Sequence, residues 1–171
     1  MSSYRLKALI ALSDFAVAKE VSSILALRGI HATLVESTHD AIDAMLETAF
    51  GLFIVDARVP MTLKREAVLY GGIDYIRFIR MCEGPVSEAM VVFLRSQMGT
   101  VNLLESRDEV LSVQDAGANC ILIHPLTLEK FDEVILSEIN NPRPFLRTGS
   151  YTGPCRRRRT VAVKVERRRQ C

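Results

Sequence analysis

The chain has 171 residues, 49% of them hydrophobic and 25% charged, values that suit one globular domain with room for an appendage. No run approaches the ~20 apolar residues that a membrane span needs, and the opening MSSYRLKALIAL lacks the basic start and long apolar core of a secretory signal, so the expected location is the cytoplasm. The net charge of +2 conceals a split: residues 1–141 carry twelve Lys and Arg against nineteen Asp and Glu, net −7, whereas residues 142–171 carry nine Arg and one Lys against Glu166, net +9.

Leu6 to Leu12 is a mostly apolar run ending at Ser13-Asp14, the pattern of a strand buried on both faces. Apolar residues then recur at Val17, Val21, Ile24, Leu25 and Leu27 with helical spacing, and Gly29 closes the helix. His31 to Val35 is a second strand, and Ser37 or Thr38 caps a helix carrying Ala41, Ile42, Met45 and Leu46. Gly51 to Val55 is a third strand, stopping at Asp56. A polar stretch with Pro60 leads to a helix from about Ile73 to Cys82, and Ala89 to Leu94 is a fourth strand. Residues 101–116 carry apolar positions at mixed helical spacing up to Gly117, Cys120 to Ile123 is a fifth strand ended by His124-Pro125, and a last helix runs from about Leu128 to Ile139 before Pro142.

Five strands alternating with five helices predict an α/β fold, a parallel doubly wound sheet with right-handed crossovers. In such folds chemistry gathers at the carboxyl ends of the strands. Here those ends hold Ser13 and Asp14, Asp56, Arg95 and Ser96, and His124. Cys82, Cys120, Cys155 and Cys171 are scattered with no C-x-x-C pair and read as free thiols, not as a zinc site or disulfide frame.

The β1 end ALSDF, the LFIVDARVPM around Asp56, the VVFLRS of the fourth strand and the CILIHP of the fifth, in that order and spacing, resemble the receiver domains of response regulators over roughly residues 5–140. The resemblance implies a flavodoxin-like (βα)5 sheet of order 2-1-3-4-5 and a non-enzymatic signalling role. It implies that Asp56 accepts a phosphoryl group from a histidine kinase or phosphotransfer protein. It also implies a Mg²⁺ ion held by Asp56, Asp14 and the backbone carbonyl of Arg58, with Arg95, Ser96 and His124 at the switch and phosphate-contact positions. Physically, phosphoryl transfer is mostly in-line positioning plus cations that neutralise the equatorial oxygens. Mg²⁺ binds through one or two carboxylates and keeps several waters.

Three positions depart from the family pattern. Ser13 stands where the first of two acids is usual, Arg95 where Thr or Ser is usual, and His124 where Lys precedes the proline; a neutral imidazole is a weaker partner for phosphate than a permanent cation. A further departure follows Pro60: receivers place a glycine about four residues on, but MTLKREAVLYGG delays it by about seven, adding Lys64, Arg65 and Tyr70 near the active face as a gate, a partner surface or a neutral insertion.

The expected boundary falls at 141, with residues 142–171 a short irregular tail, flexible or folding on binding, whose Val161, Val163 and Val165 form at most a short edge strand. The stretch RPFLRTGSYTGPCRRRR resembles extensions of stand-alone alphaproteobacterial receivers, with Cys155 where Asp is typical. Some chemotaxis-like receivers with arginine-rich extensions bind cyclic di-GMP and dock on the flagellar motor. The resemblance implies that Arg156, Arg157, Arg158 and Arg159, with Arg143 or Arg147 and a stacking surface at Tyr151, bind such a nucleotide. Guanidinium groups suit that chemistry by bidentate phosphate and guanine contacts. Nucleic acid bound through phosphate charge, an anionic membrane surface, or the acidic body itself are the other partners open to this segment. The leading reading is therefore a single-domain response regulator acting by protein contact, and the alternative a degenerate receiver that takes its input at the tail. No DNA-binding or enzymatic output domain is expected after residue 141.

Overall fold

The structure is a computed structural model that describes residues 6–62, 70–95 and 103–156. Ser96, Lys64, Arg65, Arg157, Arg158, Arg159 and the Val161–Val165 alternation lie outside the described residues.

Strands β1 (Lys7–Ala11), β2 (His31–Val35), β3 (Leu52–Val55), β4 (Met90–Arg95) and β5 (Cys120–Ile123) form one parallel sheet in the order β2-β1-β3-β4-β5. Helices α1 (Phe15–Leu27), α2 (Thr38–Glu47), α3 (Gly72–Met81) and α4 (Leu103–Ala116) fill the first four crossovers, with a single 3₁₀ turn at Pro85–Glu88 before β4. The last helix, α5 (residues 128–140), opens and closes as α-helix and is π-helical over Phe131–Leu136. The doubly wound α/β fold and its 2-1-3-4-5 order are those expected from the sequence.

The pleat explains why continuous apolar runs were needed. Along β1, Ala8 and Ile10 point to one layer and Leu9 and Ala11 to the other; in β3, Leu52 and Ile54 oppose Phe53 and Val55. One layer closes under α1 and α5 with Val21, Leu25, Phe131 and Ile135, the other under α2, α3 and α4 with Ala41, Ile76, Ile79 and Val113, all fully buried. Burying side chains of this size contributes roughly 1.5–3 kcal/mol each, so both layers are needed to fix the sheet.

Residues 143–156, expected within an irregular tail, form a hairpin packed on the body. Strands β6 (Phe145–Arg147) and β7 (Thr152–Pro154) pair antiparallel, and β7 rests on α3 and the 3₁₀ turn. Two glycines allow the contact: Gly117, at φ 97°, faces Gly153, and a Cβ on Gly117 would lie 2.5 Å from the Thr152 carbonyl oxygen. Arg143 ties the hairpin to α5 through Glu138 (2.7 Å) and also donates to the carbonyl oxygen of Asn119; Arg147 reaches Ser87 Oγ (2.7 Å).

Beneath the hairpin lies Arg80, 3% exposed, on the face of α3 that carries Ile76 and Ile79. Its guanidinium donates to the carbonyl oxygens of Gly117 (2.8 Å), Ser87 and Ala89 (2.7 Å each) and to Asn119 Oδ1 (2.7 Å), and the Phe145 ring stacks 5.5 Å from its Cζ. Burial pushes its pKa down to about 10, so it stays charged at neutral pH. One side chain therefore joins α3, the 3₁₀ turn, the α4–β5 turn and the hairpin. Arg80→Met leaves buried carbonyls without donors; each such group costs ~1–3 kcal/mol, so a loss of about 3 kcal/mol or more in urea unfolding is expected, with Arg80→Lys restoring only part.

Candidate functional site

Asp56 ends β3 and is 7% exposed, so its carboxylate needs partners of its own. It has three. Oδ2 accepts from the Ser13 backbone N–H (2.8 Å) and the Ser13 hydroxyl (2.6 Å), and Oδ1 accepts from the backbone N–H of Arg58 (2.8 Å). Ser13 is delivered by β1, whose parallel register with β3 pairs Ala11 with Val55 and brings the two strand ends side by side. The Asp56 N–H in turn donates to the Ala11 carbonyl (3.3 Å).

Asp14, expected to join Asp56 at a metal, is the N-cap of α1: its Oδ1 accepts from the N–H groups of Ala16 (2.8 Å) and Val17 (3.3 Å). His124, whose peptide to Pro125 is cis, points Nε2 at Glu20 Oε2 of α1 (3.1 Å). Arg95 pairs with Glu109 of α4 (3.1 Å). The structure therefore gathers Ser13 and Arg58 around Asp56, and gives Asp14, Arg95 and His124 other partners. Ser13 was visible at the strand end; its role as donor follows from the register of β1 on β3. Glu20 and Glu109 carried no signal, being surface glutamates on helices in any sequence reading.

The floor of the site is set by Gly72, the first residue of α3. A Cβ there would lie 1.7 Å from the Asp56 carbonyl oxygen, so only glycine lets the helix start against that strand end. The residues inserted after Pro60 thus delay the glycine without removing its job. The insertion is pinned at its base by a Pro60–Tyr70 bridge, and the Pro60 and Met61 carbonyls accept from the Thr38 and His39 N–H groups (2.9 and 3.1 Å). Those are free donors of the first turn of α2, which Ser37 caps through Asp40 N–H (3.1 Å).

The residues around Asp56 make a weaker Mg²⁺ site than a pair of acids at the end of β1 would. Asp56 Oδ2 accepts twice from Ser13 and Oδ1 once from Arg58, leaving Oδ1 room for a further contact; the adjoining position offers a neutral hydroxyl in place of a second acid, and Asp14 Oδ1 serves its helix. Among the described residues no cluster of three His, Cys, Asp or Glu side chains is placed to hold a metal.

No protein-family model matches the sequence, and no curated protein matches it. Many solved structures share the fold. The chain is similar to a two-component response regulator from Clostridium difficile (18% identity, 80% of this chain and 97% of that one, TM-score 0.60) and to a chemotaxis response regulator of Vibrio cholerae (15% identity, 77% and 97%, TM-score 0.60). It is similar also to the receiver domain of a sensor histidine kinase from Pseudomonas aeruginosa, which holds a magnesium ion in its active-site cleft (20% identity, 80% and 98%, TM-score 0.61). At these identities the likeness establishes the receiver fold. No helix among the described residues is long and apolar enough to cross a membrane.

Restoring the missing acid separates the two kinds of site. In the parent protein millimolar Mg²⁺ is expected to leave the thermal midpoint unchanged. Ser13→Asp sets a second carboxylate beside Asp56, lowers the midpoint without metal by like-charge repulsion, and is expected to recover it with Mg²⁺. Differential scanning fluorimetry with and without the ion checks both.

Proposed function

We propose that the protein is a response regulator of the receiver class that works by protein contact and sets its active face without Mg²⁺-dependent phosphoryl transfer at Asp56. The observation that carries this reading is the closed network in which Ser13 and Arg58 supply all three hydrogen bonds to the Asp56 carboxylate. A receiver needs a metal and a free cation to neutralise charge developing on the phosphoryl oxygens. Here the two basic side chains at the neighbouring strand ends are paired with Glu20 and Glu109 instead. The protein's contacts with a histidine kinase or phosphotransfer protein upstream, and with a protein target downstream, are then docking contacts. Regulation by occupancy of a partner surface replaces regulation by a covalent group.

Incubation with acetyl phosphate and Mg²⁺ followed by intact-mass measurement tests this. The expected spectrum shows no phosphoryl-sized increment. An increment that disappears in Asp56→Asn overturns the reading and restores Asp56 as a phospho-acceptor.

The alternative input, cyclic di-GMP at the basic segment, draws on one observation. Arg156 lies with its Cζ 4.3 Å above the Tyr151 ring, beside a cavity of about 530 Å³ lined by Thr148, Ser150 and Asp115. Against it, Arg143 and Arg147 are engaged in holding the hairpin, and Arg156 is bonded to Asp115 (2.7 Å). Isothermal titration of the full chain with cyclic di-GMP supports the alternative if heat is released and lost in Tyr151→Ala. Silence at high micromolar ligand removes it.

A further inference from the structure

At the end of the sheet opposite Asp56, a groove of about 570 Å³ opens between α2, α3 and the 3₁₀ turn. Its walls are Ile42, Met45, Leu46, Phe50, Phe78 and Val86, and Leu46 on its edge is 83% exposed. Glu47, Glu83 and Glu88 rim it. Both α2 and α3 end here, at Glu47 and Met81, so the negative ends of two helix dipoles add to three carboxylates. An apolar slot in so negative a setting selects an apolar segment with positive flanks.

The chain carries such a segment. Beyond the hairpin, valines at 161, 163 and 165 stand between Arg157–Arg159 and Arg167–Arg169. In an extended conformation alternate residues share one face, so the three valines would enter the slot together. The preceding strand β7 already rests on the 3₁₀ turn that forms one wall of the groove, and Arg147 of the same hairpin reaches the rim at Glu88 (3.5 Å). Val161 and Val165 follow Arg156 by five and nine residues, a span of up to about 16–30 Å of extended chain. Tethering makes the encounter intramolecular, at an effective concentration on the order of millimolar.

We infer that the groove between α2 and α3 is the docking site for the chain's own segment 157–169, with Val161, Val163 and Val165 in the slot and the arginines against Glu47, Glu83 and Glu88. The bound segment covers the exposed Leu46 edge and withholds its arginines from other anions. The inference is independent of what happens at Asp56.

Cys82 lines the groove and supplies the probe. The full chain carrying Val163→Cys, with Cys155→Ser and Cys171→Ser, is oxidised mildly at low micromolar concentration and mapped by peptide mass. The expected product is a monomer with a disulfide between Cys82 and the thiol introduced at position 163. That bridge forms at least several-fold less in the added Leu46→Asp or Glu47→Lys/Glu83→Lys backgrounds, and less at high salt. Leu46 and both glutamates are surface positions, and circular dichroism confirms that these variants stay folded. A yield of the bridge unchanged by the groove substitutions, or no such bridge, overturns the inference. A dimer-sized bridged product also overturns it and assigns the groove to a second copy.

Discussion

A carboxylate at the end of a fully buried strand is the constraint around which the upper half of this molecule is arranged. Asp56 cannot be left without partners at 7% exposure, because an unpaired buried charge costs far more than any single contact returns. The chain answers with three donors of its own, two from Ser13 and one from Arg58. The rest of the site follows. Gly72 must be glycine for α3 to start on the Asp56 carbonyl, and the Pro60 and Met61 carbonyls are held by the first turn of α2. Asp14 caps α1 through one carboxylate oxygen.

At the other end of the sheet the organising group is also a polar side chain in an apolar place. Arg80 joins α3, the 3₁₀ turn and the α4–β5 turn through carbonyl oxygens and one amide, and the C-terminal hairpin closes over it with Phe145. The two ends are built independently. The upper end is a closed acid network, and the lower end a basic clasp beside an acid-rimmed apolar groove.

Most of the fold was legible in the sequence because buried parallel strands write themselves as continuous apolar runs: KALIA, LFIV and MVVFLR are each nearly or wholly buried in their pleats. The helices were legible from their spacing and caps. What escaped was decided by contacts far apart in sequence. Arg80 carries no signal in the sequence beyond its position four residues after Ile76, which puts it on the buried face of α3. The hairpin escaped because its strands are three residues long and its packing on the body depends on Gly117, some thirty residues earlier. At the site, the position of Asp56 was legible, but which neighbour would serve it was not. Asp14 and Ser13 are adjacent, and only the start of α1 determines that the aspartate turns to the helix and the serine to Asp56.

Whether Asp56 is satisfied by protein donors, and not by a metal and phosphoryl group, is open to one direct test. Beryllofluoride with Mg²⁺ imitates an aspartyl phosphate without requiring a kinase, and the backbone amide resonances of Ser13, Arg58 and Gly72 can be followed during its titration. With the carboxylate closed off by Ser13 and Arg58, these resonances are expected to stay in place up to millimolar reagent. Saturable shifts of all three, absent in Asp56→Asn, would contradict that closed network.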